Sequence, residues 1–160
     1  DHLLYQFTAC YDRNTWFVAL KNALDGVTAE EAASRPAGSN NSIWETVSHL
    51  NYYNHAYVER FKGVDFEYDV DDNDATFVSG EATDEAWHAE TARLDQILTE
   101  FRDLIRNAAD SKFDEAVSRS NQASWANLIS NINAHNAYHA GQIILLRKLQ
   151  GSWNPENGVS

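Results

Sequence analysis

Residues 87–108 read WHAETARLDQILTEFRDLIRNA, and they carry the most regular pattern in the chain. Apolar side chains recur there in an alternating four-and-three repeat that Thr91 alone interrupts: Trp87, Leu94, Leu98, Phe101, Ile105 and Ala108. This period places them on one face of an α-helix, where they can pack against neighbouring helices. The stretch therefore predicts a helix of a bundle.

Three further long segments carry helical periodicity, since only two prolines and seven glycines punctuate the sequence. They cover roughly residues 3–25, 42–62 and 124–149. The buried stripe expected for the earliest of them is Leu3, Phe7, Cys10, Phe17, Leu20 and Leu24. We therefore predict an all-α four-helix bundle that forms a single domain over residues 1–160.

Several helix ends are marked by side chains that can cap a free backbone N–H. Ser42 and Glu45 form a Ser-x-x-Glu capping box at the start of the second predicted helix. Ser124 can cap the fourth predicted helix, and Gly151 follows its end. A second capping box at residues 28–31 predicts a short connecting helix before Pro36.

A linker of about twenty residues, 64–83, separates the second and third predicted helices, which is longer than a tight helix hairpin needs. Its acidic residues are Asp65, Glu67, Asp69, Asp71, Asp72 and Asp74. The run 69–74 is similar to a calcium-binding loop, but it lacks glycine at the sixth position and has Gly80 in place of the bidentate glutamate. We interpret the linker as a solvated acidic loop.

Composition excludes several classes of partner and site. The net charge of −12 would repel a phosphate backbone, so we expect no nucleic-acid binding. No apolar run approaches the ~20 residues that span a bilayer, so we expect no membrane partner. Cys10 is the single cysteine, so a metal site must use histidine or carboxylate. The sequence begins at Asp1, which leaves a trimmed leader open, and we expect a cytoplasmic protein.

The fourth predicted helix carries polar residues on its buried face. The expected inward stripe is Trp125, Leu128, Ile132, His135, His139, Gln142, Leu146 and Leu149. Buried imidazole and amide groups that lack partners each cost on the order of 1–3 kcal/mol. Histidines at i and i+4 project to the same side and can close onto one ion, so His135 and His139 predict two ligands of a divalent metal.

A third ligand is expected from another helix, and the candidates are His2, His49, His55 and His88. His2 and His88 lie in the first turns of their predicted helices, roughly 10 Å or more from the level of His135 and His139. His49 and His55 flank the apolar stripe of the second predicted helix on opposite sides. The neighbours of His55 look more solvated, which favours His49 slightly and leaves both open.

These residues resemble a known family. The segment Ser42-Ile-Trp-Glu-Thr-Val-Ser-His49-Leu, followed by His135-Asn-Ala-Tyr-His139-Ala-Gly-Gln142-Ile and Leu146-Arg147, is similar to the DinB/YfiT-like superfamily. The resemblance implies a four-helix bundle, often a homodimer, in which one histidine of the second helix and a His-x-x-x-His pair of the fourth bind a divalent metal. It carries these roles to His49, His135 and His139.

The resemblance also implies an activity, because related members are transferases and isomerases that use a low-molecular-weight thiol such as bacillithiol or mycothiol. Three neutral imidazoles leave a divalent ion, most plainly Zn²⁺ or Ni²⁺, with an open position that a thiol or a water can occupy. With a metal-bound thiol as nucleophile the protein would be a transferase acting on a small electrophile, and with a metal-bound water it would be a hydrolase. A non-catalytic metal-binding or dimerisation module is the third reading.

Four further residues are candidates for the surroundings of the site. Gln142, one turn beyond His139, can orient a ligand imidazole or a substrate. Glu45 can serve as a base, although its capping role already explains it. Tyr53 and Tyr138 can line a pocket.

Overall fold

The computed structural model describes residues 2–118 and 120–158. The α-helices in these residues are α1 (His2–Tyr11), α2 (Leu20–Leu24), α3 (Ala29–Ala33), α4 (Ile43–Phe61), α5 (Asp84–Asn107) and α6 (Trp125–Gln150). Short 3₁₀ helices occupy Asp74–Thr76, Asp110–Asp114 and Pro155–Asn157, and the described residues form no β-strand. The prediction of an all-α fold is confirmed. None of these helices is long and apolar enough to cross a membrane.

The helix starts follow the caps that the sequence predicts. At α4 the Glu45 N–H donates to Ser42 Oγ (3.2 Å), and the Ser42 N–H donates to Glu45 Oε2 (2.7 Å). The capping box that begins α3 has the same two hydrogen bonds. Helix α6 starts after Ser124, which accepts from the Asn127 N–H, and ends at Gly151 with φ 75°. Gly151 adopts the left-handed conformation that ends the helix. Glycine does so without a steric clash because it has no Cβ.

The core lies between α1, α4, α5 and α6, with α4 packed mainly on α5 and α1 mainly on α6. The predicted stripe of α5 is buried at Trp87, Leu94, Leu98, Phe101 and Ile105. Phe101 contacts two other rings edge-on, with ring centroids 5.4 Å from Phe7 and 5.8 Å from Phe61. The four-and-three repeat of α5 therefore marks the face that the bundle buries.

The prediction of one continuous first helix over residues 3–25 is wrong. Helix α1 ends at Tyr11 and α2 begins at Leu20, with an irregular segment between them. Asn14 lies in that segment, and its Oδ1 accepts from the Ala19 N–H (2.9 Å) and from Asn22 Nδ2 (2.8 Å). Its side chain competes with the helical backbone for donors, as short polar side chains do. Phe17, predicted as core, is consequently 39% exposed.

Helix α6 also departs from its predicted stripe, because Leu149 is 60% exposed whereas Ile129 and Ile143 are fully buried. The reason is its place in the bundle: α6 packs against α1, α2 and α4 at once. A helix with neighbours on several sides buries more than one stripe, so a single-face pattern describes it poorly. The His135–His139 face is thus one part of a wider buried surface.

Two buried amides join α4 to α6. Asn54 Nδ2 donates to Asn136 Oδ1, and Asn136 Nδ2 donates to Asn54 Oδ1, each at 3.1 Å. Their exposures are 0% and 2%. Because the two amides bond each other in the apolar core, a slip of either helix would break both hydrogen bonds. The pair fixes the register of α4 against α6, directly beside His135.

Replacing one amide of this pair should cost more than replacing both. We expect Asn54→Leu and Asn136→Leu each to lower the free energy of unfolding by about 2 kcal/mol, since each leaves the other buried amide without its partner on the facing helix. The double variant should recover much of that loss, because no unpaired polar group remains. Urea unfolding of the four proteins measures this, and a double variant as unstable as the sum of the two singles would contradict it.

Candidate metal centre

Three histidine side chains converge where α4 faces α6. Nε2 of His49 lies 3.0 Å from Nε2 of His135, which lies 3.1 Å from Nε2 of His139. The ligand atoms of the three residues all lie within 4.8 Å of one another. The structure therefore brings His49 of α4 to the pair on α6. The competing candidate His55 instead packs its ring against Phe66, at a centroid distance of 5.7 Å.

The hydrogen bonds behind His49 and His139 fix which ring nitrogen carries the proton. The Thr76 hydroxyl donates to the Asn73 carbonyl (2.7 Å), so its oxygen accepts from Nδ1–H of His49, 2.7 Å away. Nδ1–H of His139 donates to Gln142 Oε1, also at 2.7 Å. A neutral imidazole with its proton on Nδ1 has a lone pair on Nε2. Both Nε2 lone pairs consequently face His135.

This arrangement needs a positive centre. If Nε2 of His135 carries the ring proton, it can donate that proton to Nε2 of His49 or to Nε2 of His139, but not to both. At least one pair of nitrogen lone pairs is therefore opposed at about 3 Å unless a cation lies among them. Three convergent imidazole nitrogens are a donor set that Zn²⁺ and similar divalent ions accept. The residues fit a metal ion.

The surroundings keep the three imidazoles neutral. Burial lowers the pKa of His49 to about 3, with His139 and His135 adding to the effect. Burial and the neighbouring His135 lower the pKa of His139 to about 4, although its hydrogen bond to Gln142 acts the other way. Burial also lowers the pKa of His135. At neutral pH the three rings are therefore neutral imidazoles, the form in which histidine binds a metal ion.

The acidic linker forms one wall of the site, which the sequence did not predict. The Phe77 ring stacks on His49 with centroids 4.2 Å apart and an interplanar angle of 13°. Thr76 is 3% exposed, so the segment that follows the acidic run is buried against α4. The interpretation as a solvated loop holds for the aspartates, which are exposed, and is wrong for Thr76 and Phe77. An aromatic residue after six acidic ones was the available signal.

The four predicted neighbours of the site differ in what they contact. Gln142, besides its bond to His139, donates through Nε2 to the Tyr138 hydroxyl (3.0 Å), and Tyr138 is 63% exposed. The Tyr53 ring lies edge-on to His49 at 4.9 Å. Their roles toward a substrate stay predictions.

Glu45 is already bound by other groups. It accepts from the Ser42 N–H and from Arg35, and it is 5% exposed. Burial alone would raise the pKa of its carboxyl, but the hydrogen bonds from Arg35 and Ser42 outweigh burial and lower it. Glu45 is thus an ionised structural group, and the structure gives it no contact with the histidines.

Cys10 lies outside the site, on α1, and is buried. Burial raises the pKa of its thiol to about 11, so the thiol stays protonated and weakly nucleophilic at neutral pH. The prediction that Cys10 fills the core is confirmed.

Gln142, which bonds His139, also lines a cleft of about 300 Å³. Residues 37–41 form one side, and Thr46, Gln142 and Leu145 are among the residues of the other side. Larger cavities, of about 510 and 580 Å³, lie between α2 and α5 and beside the C-terminal half of α5. None of the three histidines lines any of these three cavities, so cavity size does not locate this site.

The family model described as DinB superfamily matches residues 14–143. The chain belongs to the DinB superfamily. The match confirms the resemblance seen in the sequence, and it spans the three histidines of this DinB protein. Searches among curated proteins and among solved structures gave no significant match.

Replacing Thr76 by valine should weaken metal binding by about 10- to 100-fold, because Nδ1 of His49 would lose the acceptor that fixes its tautomer. Thr76→Ser keeps the hydroxyl and should bind nearly as the parent protein does. Competition with a chromophoric zinc chelator measures the affinities.

Thr91→Val is the matched control, since the Thr91 hydroxyl bonds within its own helix to the carbonyls of Trp87 and His88. Equal affinity of Thr76→Val and Thr91→Val would show that Thr76 does not orient the ligand.

Proposed function

We propose that this DinB protein holds one divalent metal ion, Zn²⁺ or Ni²⁺, through His49, His135 and His139 and acts as a metal-dependent thiol transferase. Its cosubstrate would be a low-molecular-weight thiol, and its acceptor a small electrophile. The observation that carries the proposal is the convergence of three neutral imidazoles whose Nε2 atoms face one another.

The donor set favours a catalytic over a structural site. Within residues 2–118 and 120–158, no fourth histidine, cysteine or carboxylate joins the three histidines. Structural zinc sites are closed by four protein ligands, whereas catalytic ones keep a position free. A divalent ion held by neutral ligands would retain its full charge and so lower the pKa of a thiol or water that it binds.

The nucleophile has to come from outside the protein. Cys10 is the sole cysteine, and it is buried on α1 with its thiol protonated. Glu45, the carboxylate that the sequence offers as a base, is held by Ser42 and Arg35. Hydrolysis gains more from a positioned base than transfer of an already acidified thiol does. These contacts therefore favour the transferase over the hydrolase.

The protein's own residues orient the ligands and shape the approach. Thr76 and Gln142 hold His49 and His139 from behind. Phe77 and Tyr53 cover His49, which is 3% exposed, and so exclude water from that side. His135 is the least buried of the three, so a thiol would approach past His135.

Metal analysis of the purified protein tests the site. We expect one equivalent of metal in the parent protein and none in the His135→Ala, His139→Ala double variant, because two of three ligands are lost. His55→Ala is the control, since His55 lies on α4 but packs against Phe66. Equal metal content in the parent and the double variant would refute the site.

Turnover of a chromogenic electrophile tests the reaction. We expect conjugation by the metal-loaded protein when glutathione, bacillithiol or mycothiol is supplied in turn, with at least one thiol accepted. The double histidine variant should lose this activity. Metal-dependent turnover that is indifferent to every thiol would instead assign the protein as a hydrolase.

A further inference from the structure

A groove of about 400 Å³ lies between α1 and α6, and none of the three histidines lines it. Its α6 side carries small side chains, at Ser130, Ala134 and Ala137. Among the described residues that line the groove, none carries a charge, although the chain has a net charge of −12. Cavities of this size hold small molecules, and a charged molecule would lose hydration here without gaining a counter-ion. The lining therefore favours a small, neutral occupant.

The buried amide of Asn133 is the part of this lining that lacks hydrogen bonds. Asn133 is 4% exposed, and neither its Nδ2 nor its Oδ1 has a hydrogen-bond partner among the described residues. Native proteins rarely retain a buried amide without partners, because the unpaired groups destabilise the fold. Asn133 therefore points to an occupant that offers one donor and one acceptor.

The core of the same protein shows what satisfies such an amide. Asn54 and Asn136 bond each other through two reciprocal hydrogen bonds, in which each amide donates once and accepts once. A second amide is thus the full complement of the first. A primary carboxamide or a lactam ring presents its N–H and C=O on one edge, whereas a single trans peptide group directs them to opposite sides. The complement of Asn133 is a carboxamide or lactam edge.

The rim of the groove is aromatic. Tyr5, Trp16 and Phe17 line it and are 57%, 97% and 39% exposed. Aromatic side chains pack favourably against another ring, either offset or edge-on. Gln6 and Trp16 are exposed on the wall opposite α6, so their side chains can turn aside and admit a ring to the buried amide. The rim therefore favours a planar ring.

We propose that this groove binds a small, neutral, planar ring that carries a primary carboxamide or lactam edge. The N–H of the ligand would donate to Oδ1 of Asn133, and its C=O would accept from Nδ2. The ring itself would lie among the aromatic side chains of the rim. Because no histidine of the metal centre lines the groove, this binding site does not depend on the metal or on thiol transfer.

Binding of benzamide and acetophenone, followed by saturation-transfer NMR titration, tests the ligand class. The two molecules are matched in shape and charge, but acetophenone has a methyl group where benzamide has its N–H donors. We expect benzamide to bind and acetophenone to bind about tenfold more weakly, because Oδ1 of Asn133 then has no donor. The His135→Ala, His139→Ala variant should bind benzamide as the parent protein does.

Three results of this titration would overturn the proposal. Equal affinity for the two molecules would show that the groove binds rings without reading the amide edge. Loss of benzamide binding in the double histidine variant would place the molecule at the metal centre. A parent protein that binds neither molecule would show that the groove is not a site for this class of ligand.

Variants of the groove test the role of Asn133. Asn133→Leu should weaken benzamide binding about tenfold and leave acetophenone binding unchanged, while the protein becomes no less stable to heat because an unpaired amide is removed. Asn131→Leu is the matched control, since Asn131 is exposed on α6 and does not line the groove. An Asn133→Leu variant that binds benzamide as tightly as Asn131→Leu does would contradict the proposal.

Trp16→Ser provides a test that does not disturb the core. The side chain is almost fully exposed, so the substitution should leave thermal unfolding unchanged. It removes a ring contact and no hydrogen bond to the ligand, and we expect it to weaken benzamide and acetophenone by the same factor. Unchanged binding of both molecules would exclude the aromatic rim from the site and overturn the proposed binding mode.

Discussion

The reciprocal amide pair of Asn54 and Asn136 is the constraint on which the site depends. It joins α4 to α6 in the apolar core with two hydrogen bonds of 3.1 Å. A slip of either helix against the other would break both hydrogen bonds. Asn136 is adjacent to His135, and Asn54 lies little more than one turn beyond His49. The register that the amides fix is therefore the register that sets His49 opposite His135.

The same logic of satisfied polar groups extends outward from the pair. Thr76 accepts a hydrogen bond from Nδ1–H of His49, and Gln142 accepts one from Nδ1–H of His139, so the Nε2 lone pair of each ring faces inward. Three neutral imidazoles thus converge in the core, and in two of them, His49 and His139, a hydrogen bond at Nδ1 leaves the Nε2 lone pair for a cation.

Much of the fold and part of the site could be predicted from the sequence. The predictable features depend on contacts within one helix, and the others depend on contacts between segments. The face of α5 and the caps at Ser42 and Ser124 depend on neighbours within one helix, so the local pattern is sufficient. The pair of His135 and His139 was likewise predictable, because it depends only on a four-residue spacing within one helix. In contrast, the break between α1 and α2 depends on Asn14 bonding ahead to Ala19 and Asn22.

The contacts of Thr76 and Phe77 could not be predicted because they are tertiary. An aromatic residue after an acidic run indicates that the end of the linker is buried, but it does not show that this end packs on a histidine 27 positions earlier.

The central claim, an open three-histidine site, is tested most directly by X-ray absorption of the zinc-loaded protein. The account predicts three imidazole nitrogens at about 2.0–2.1 Å with a remaining light-atom ligand that a cosubstrate thiol replaces by sulfur at about 2.3 Å. A spectrum of four protein ligands that no thiol alters would contradict it.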